Sequence, residues 1–371
     1  MTETPTITIP ADLLPQDGRF GSGPSRINPS FVRDLSNTGT AFLGTSHRQS
    51  NVKKVVASIQ SGLMHMYGLP DGFEVVLGLG GATAFWDATV LGLIENRSAH
   101  FVCGEFSRKF ATAAAAAPHL DEPVIVDADP GDAPAPVAVG GVDLAAFIHN
   151  ETSTGVVAPF ARLGDALVAV DGTSAAGAIA FDVEEVDAYY FSPQKALGSD
   201  GGLWIAFLSP AAIERIELIS TTSRWIPEFL SLKTALDNSR SAQTYNTPAL
   251  ATLYLLDRQI EFVNHRGGIK WADAAVRATS DHLYSWANMR SFAEPFVTDE
   301  ALRSPTVVTI DLDESVSARS VSAVLRANGI VDTESYRKLG RNQLRIATFP
   351  NVVISDVKSL TASIDFVVEA L

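Results

Sequence analysis

The chain has 371 residues, 46% apolar and 19% charged, a globular composition with length enough for two domains. A net charge of −14 argues against nucleic-acid and anionic-membrane partners, and the single cysteine, Cys103, leaves no disulfide framework or cysteine-based zinc site within one chain. No apolar run reaches membrane-spanning length, and the start, MTETPTITIP, lacks the features of a signal peptide, so a reducing, cytoplasmic setting is expected.

Residues 1–30 are rich in Pro and Gly and are expected as an extended N-terminal arm crossing a surface toward the small domain and the active site. The spacing of VKKVVASIQSGLMHMY predicts an amphipathic helix over 50–67. FEVVLGLGG (73–81) reads as a strand and a glycine loop, and 82–94 as a helix. HFVCGEF (100–106) reads as a short strand ending in a loop, and 107–117 as a helix stopped by Pro118. Strands are expected near 124–127, 145–150, 166–170, 188–191 and 203–208. Short apolar strands alternating with helices predict an α/β fold with a mostly parallel sheet covered on both faces. A long helix is expected over 247–263, with Thr247 as N-cap and Pro248 at its first position. After NHRGGIK the pattern becomes strand 306–313, helix 317–330, strand 344–349 and helix 354–371. The expected organisation is the arm, a large domain over 31–265 and a smaller C-terminal α/β domain over 266–371.

In open α/β sheets, ligands bind beyond the carboxyl ends of the strands, and the polar residues there form a pattern. The loop Gly78–Thr83 opens a helix, where exposed N–H groups and the helix dipole favour an anion, although it matches neither a dinucleotide fingerprint nor a Walker loop. Asp171 ends an apolar strand. Lys195 follows another strand and is wrapped in small residues in FSPQKALGSDGG (191–202). A partly desolvated lysine has a lowered pKa and becomes a nucleophile. One lysine, one carboxylate and one phosphate cradle are the set that pyridoxal 5'-phosphate requires: a lysine for its aldehyde, an acid for its ring nitrogen and a loop for its phosphate.

With these residues in place, the strings GRFGSGPS (18–25), GTSHR (44–48), LGGATAFW (79–86), HNETSTGV (149–156), DGTSAAG (171–177), YYFSPQKALGSDGG (189–202), QTYNTPA (243–249) and YRKLGRNQLR (336–345) resemble the fold-type-I, class-V pyridoxal-phosphate aminotransferases, and within them the phosphoserine aminotransferases. The resemblance implies that Lys195 condenses with the cofactor and that Asp171 faces its ring nitrogen. It implies cofactor contacts from Ala82, Thr83, Thr152 and Gln194, and an aromatic over the ring at Phe106, where the family usually has tryptophan. Asn246 and Thr247 match residues that reach the cofactor phosphate of a neighbouring subunit, which implies a homodimer with shared sites. Arg345 matches the clamp for the substrate α-carboxylate; His47 and Arg48 match a pair that binds the distal anion, partly across the dimer; Ser22 adds a substrate contact.

The implied reaction passes the amino group of L-glutamate to 3-phosphohydroxypyruvate in serine biosynthesis, leaving open a phosphorylated four-carbon keto acid of vitamin B6 synthesis. The run 336–350 carries Arg337, Lys338, Arg341 and Arg345 and no acid, which reads as an anion-binding bias in an acidic chain. Because the gap between Tyr336-Arg337 and the clamp arginine is longer than in many relatives, Arg337 and Lys338 are candidates for the phosphate contact. The alternatives are a related aminotransferase acting on a small keto acid and a non-catalytic protein that binds pyridoxal phosphate. A desulfurase role fits poorly, since Cys103 lies near a strand end.

Overall fold

The computed structural model describes residues 7–371. In chain order its strands are β1 (Glu74–Leu79), β2 (Ser98–Val102), β3 (Val124–Asp127), β4 (Leu144–Ile148), β5 (Asn150–Glu151), β6 (Val156–Val157), β7 (Leu167–Asp171), β8 (Ala188–Phe191), β9 (Leu203–Leu208), β10 (Ala293–Pro295), β11 (Val307–Leu312) and β12 (Gln343–Ala347). The helices are α1 (Pro29–Asn37), α2 (Ser50–Tyr67), α3 (Gly81–Gly92), α4 (Glu105–Ala115), α5 (Pro210–Ser220), α6 (Leu232–Arg240), α7 (Leu250–His265), α8 (Gly268–Asn288), α9 (Ala318–Ala327) and α10 (Ile354–Ala370).

Seven strands form one sheet in the order β1-β9-β8-β7-β4-β2-β3. All neighbours are parallel except β9, which runs antiparallel to β1 and β8. Both faces are buried, which explains the unbroken apolar runs of β8 and β9. Alternate side chains serve two cores. Tyr189, Phe191, Ile205 and Phe207 pack under α2 and α7, while Tyr190, Trp204 and Ala206 face α3, α5 and α6. On α2 the buried residues Val52, Val56, Ile59, Leu63 and Met66 recur at helical spacing and form the stripe that meets the sheet.

A second, antiparallel sheet, β10-β11-β12, packs with α8, α9 and α10 around a separate core. Helix α8 feeds both units: Ala272 joins the core under the large sheet, and Leu283, Trp286 and Ala287 join the smaller one. The expected boundary therefore falls at the turn between α7 and α8, while α8 itself spans the two cores.

The described part of the arm does more than cross a surface. Ile9 and Phe20 are buried in the smaller core. The stretch around Phe20 lies extended between the chain at Val331 and at Ala347: Val331 N donates to Gly18 O at 2.8 Å, and Ala347 N donates to Phe20 O at 2.9 Å. The first six residues of the expected arm lie outside the described residues. Among the described residues, no helix is long and apolar enough to cross a membrane.

Candidate active site

A cavity of about 490 Å³ opens beyond the carboxyl ends of β1, β7 and β8, between the two units. It gathers Ser22, Ala82, Thr83, Phe106, Thr152, Asp171, Gln194, Lys195 and Arg345 from the expected set. These residues are up to 323 positions apart in the chain, counting from Ser22 to Arg345 (345 minus 22).

Lys195 sits on the loop that reverses the chain from β8 into the antiparallel β9. Its Nζ donates to Thr152 Oγ1 at 2.7 Å; Thr152 Oγ1 donates to Ser174 Oγ at 2.9 Å; Ser174 Oγ donates to the Asn150 carbonyl at 2.8 Å. Burial pushes the lysine down to about 8, with Arg345 adding to the effect and Asp171 and Glu151 opposing it. The amine also lies 5.4 Å from the centre of the Phe106 ring.

Asp171 is the last residue of β7 and is buried. Thr173 N donates to its Oδ1 at 2.8 Å and Trp86 Nε1 to its Oδ2 at 3.1 Å. Burial raises its pKa; the Thr173 bond, the nearby Lys195 charge and the Trp86 bond pull it back toward the ionised form. The strand end presents a carboxylate to the cavity with its oxygens held by two N–H donors.

The glycine loop folds as a cradle. Gly80 and Gly81 take φ of +103° and +74°, values that favour glycine, and Gly81 begins α3. The first turn of α3 therefore faces the cavity with its dipole positive end. One of its N–H groups, that of Ala82, is already taken by Ser192 Oγ at 2.6 Å.

Phe106 lies on the first turn of α4, not on the loop expected between strand and helix. That turn is held by Glu151, which is fully buried and accepts from Phe106 N at 3.1 Å, Ser107 N at 3.0 Å and Ser153 Oγ at 2.6 Å. Glu151 thus caps the helix that carries Phe106 while its neighbour Thr152 meets Lys195.

Arg345 on β12 donates from Nη1 to the Thr152 carbonyl at 3.2 Å and lies 5.4 Å from the Tyr336 ring centre. Tyr336 stands between the cavity and an adjoining outer basin that also contains Arg337. The basic run is less free than its sequence reads. Folding brings acids from elsewhere: Lys338 pairs with Glu105 on α4, and Arg341 pairs with Asp311 on β11, Nε to Oδ2 at 2.9 Å. Arg337 is exposed and has no ion pair among the described residues, so Arg337 and Arg345 are the two cations of this run left for a ligand.

His47, Arg48, Asn246 and Thr247 do not line the cavity. They form a separate cluster in which Thr247 Oγ1 meets His47 Nδ1 at 3.1 Å and Arg48 Nη1 donates to Gln243 at 3.0 Å. The expected cap at Thr247 is a correction: α7 starts at Leu250 with Ala249 at the N-cap position and no side-chain cap. Thr247 lies before the helix, and the rigid Pro248 separates it from the first turn.

Among the cavity residues that lacked an assigned role in the sequence are Trp86, Thr173, Ser192 and Tyr336. Trp86 lies four positions after Ala82, on the same face of α3, so helical periodicity was its signal. Ser192 is the first residue beyond β8. Tyr336 was visible only as the neighbour of a basic run.

The cavity has unfilled polar capacity. Ser22 Oγ, Thr173 Oγ1, Gln194 Oε1 and Arg345 Nε are buried with no hydrogen-bond partner among the described residues. Such atoms are costly unless a ligand or water meets them. Together with the cradle, the cationic amine and the carboxylate, they fit an anionic, aromatic cofactor such as pyridoxal phosphate. Among the described residues no group of His, Cys, Asp and Glu is placed to hold a metal ion.

The class-V aminotransferase family model matches residues 128–333. The chain is 54% identical over 374 residues to the phosphoserine aminotransferase of Rhodococcus jostii (strain RHA1), covering 100% of both. It is 52% identical over 371 residues to the putative phosphoserine aminotransferase of Mycobacterium leprae (strain TN), covering 99% of both. Among solved structures, the phosphoserine aminotransferase of Cytophaga hutchinsonii superposes with a TM-score of 0.87 at 22% identity, over 95% of this chain and 99% of that one. The alanine–glyoxylate aminotransferase of a Nostoc species gives 0.79 at 19% identity, over 98% and 97%. Likeness at that identity shows the shared fold-type-I architecture alone.

Proposed function

The chain belongs to the class-V aminotransferases and, within them, to the phosphoserine aminotransferases, and we propose that it transfers the amino group of L-glutamate to 3-phosphohydroxypyruvate at the cavity around Lys195. The observation that carries the assignment of residues is the buried amine of Lys195, lowered to about 8 and held by Thr152 in one cavity with Asp171 and the Gly80–Gly81 cradle. Pyridoxal phosphate, bound there, supplies an aldehyde for the lysine and a ring that accepts electrons from the substrate carbon.

The chain's own residues do the rest. The first turn of α3 and Gln194 would receive the phosphate. Asp171, whose oxygens are held by two N–H donors, would face the ring nitrogen and favour a proton there. Phe106 would cover the ring. At neutral pH a pKa of about 8 leaves roughly a tenth of Lys195 as free amine, far more than an ordinary lysine offers. With the cofactor bound, that amine would hold and move the proton at the substrate α-carbon. Arg345 orients the α-carboxylate with a planar, two-pronged donor set. Arg337 in the outer basin meets the distal phosphate or carboxylate. The separate cluster of His47, Arg48, Asn246 and Thr247 completes the site of a second copy in a homodimer.

Lys195→Ala is expected to keep the fold and lose turnover by at least about a thousandfold, the scale of removing a covalent and proton-transfer group. Glutamate-dependent conversion of 3-phosphohydroxypyruvate, compared with pyruvate and glyoxylate, reads it. An active Lys195→Ala protein refutes the lysine's role; preference for the small keto acids refutes the substrate assignment.

A further inference from the structure

We propose that the segment Gly23–Ser25 of the arm is a positioning element for Lys195, in which Gly23 sets where the lysine side chain lies and Ser25 fixes the peptide that bears it. The proposal rests on Lys195 being the reacting amine.

Two consecutive carbonyls of the lysine loop are held by one residue of the arm. Ser25 N donates to Gln194 O at 2.8 Å, and Ser25 Oγ donates to Lys195 O at 2.5 Å. The lysine's backbone is therefore clamped from a point 170 residues away. Gly23 acts on the side chain. Its φ is +142°, and a Cβ there would lie 2.9 Å from Lys195 Cε, 3.5 Å from Cγ and 3.6 Å from Cδ. The methylenes of Lys195 run along bare backbone, and the missing methyl is what leaves them that path to Thr152.

The segment is fastened at both ends to the smaller unit. Before it, Phe20 is stitched to the chain at Val331 and Ala347. After it, the buried Arg26 pairs with Asp356 at 2.7 Å and donates to Asn351 O at 2.5 Å. A tether anchored on one unit at its ends and on the lysine loop at its middle makes the position of the amine depend on how the two units sit.

A methyl at position 23 should push Nζ off Thr152 and into the open cavity, where water favours its charged form. The test follows the rate at which trinitrobenzenesulfonate modifies Lys195 in the full chain stripped of cofactor, against pH, with the site identified by peptide mass mapping. The parent is expected to show a half-point near 8. Gly23→Ala is expected to raise it by at least about half a unit toward an ordinary lysine. In the loaded enzyme, kcat should fall at least about tenfold with KM for glutamate changed less than about threefold, the split left by a misplaced catalytic group. Ser25→Ala should move both readouts in the same direction by less, and Ser25→Thr, which keeps the hydroxyl, should restore them. An unchanged half-point and kcat in variants with parental melting temperature overturns the proposal. If Gly23→Ala does not fold, the Ser25→Ala and Ser25→Thr pair decides. The modification profile needs no cofactor, so its failure stands apart from that of the Lys195 assignment, which Lys195→Ala tests.

Discussion

Asp171 illustrates how a residue at a candidate site would work against stability. Burial raises its pKa, yet two N–H donors and Lys195 favour its charge. A buried carboxylate is expensive, and replacing it with a neutral group of the same shape removes that cost along with the charge. Asp171→Asn is therefore expected to leave the melting temperature of the cofactor-free chain within about 2 °C of the parent, on the order of 1 kcal/mol at this size. Turnover should fall at least about a hundredfold, because an amide cannot hold the proton on the ring nitrogen. Equal losses in both would mean that Asp171 serves the Gly172–Thr173 turn and not the cofactor. Lys195 and Asp171 were legible because each follows an apolar strand. Trp86 and Tyr336 were less so, because a Trp on a helix and a Tyr in a loop look like any others until their neighbours are known.

Elements decide which residues face one another. Helix α4 places Phe106 over Lys195 only because Glu151, from the next strand ribbon, holds its first turn. Helix α7 shows the converse. Its start is two residues later than the Thr-Pro pair predicts, which frees Thr247 to meet His47 outside the cavity. Asn246 and Thr247 are exposed, as is the neighbouring Tyr245 at 44%. If that cluster completes a second copy's site, activity must follow assembly. Diluting the enzyme until sedimentation shows monomers should abolish turnover, and concentrating it should restore turnover; a fully active monomer removes the shared site.

At the scale of the whole molecule, two buried histidines govern the acid limb of stability. His149, against Tyr189 behind the sheet, and His100, against Ser98, are both lowered by burial to about 3. In the unfolded chain each titrates near 6.5, so below that pH the unfolded state binds more protons than the folded one. Stability is therefore full above about pH 6.5 and falls as pH drops toward 3, by about 1.4 kcal/mol per unit for each histidine once well below 6.5. Urea titrations of the cofactor-free chain at pH 7.5, 6 and 5 should show that loss, about 4 kcal/mol for the pair by pH 5. His149→Gln should reduce the slope by about one proton. A flat profile from 6.5 to 5 would mean that water reaches these rings. Asp171, raised by burial, acts with the opposite sign and will soften the loss.

By itself the sequence determined the alternation of strands and helices, the mouth of the sheet as the candidate ligand edge, and the lysine, acid and glycine loop that line one cavity there. Those features are local: strand ends, helix periods and glycine conformations are written within a few residues. Helices such as α1, α5, α6 and α8 stayed unread, and α8 shows why: its buried positions Ala272, Val276, Thr279, Ser280, Leu283 and Ala287 recur at helical spacing, but several are small or polar, so the stripe is faint in the sequence, and it serves two different cores along its length. Only the tertiary structure decided which basic residues stay free, since Glu105 and Asp311 neutralise Lys338 and Arg341 from distant positions. It alone brought the arm onto the lysine loop and sent the His47–Thr247 cluster elsewhere. Contacts between residues 170 or 200 apart depend on the packing of whole elements, which no window of sequence contains.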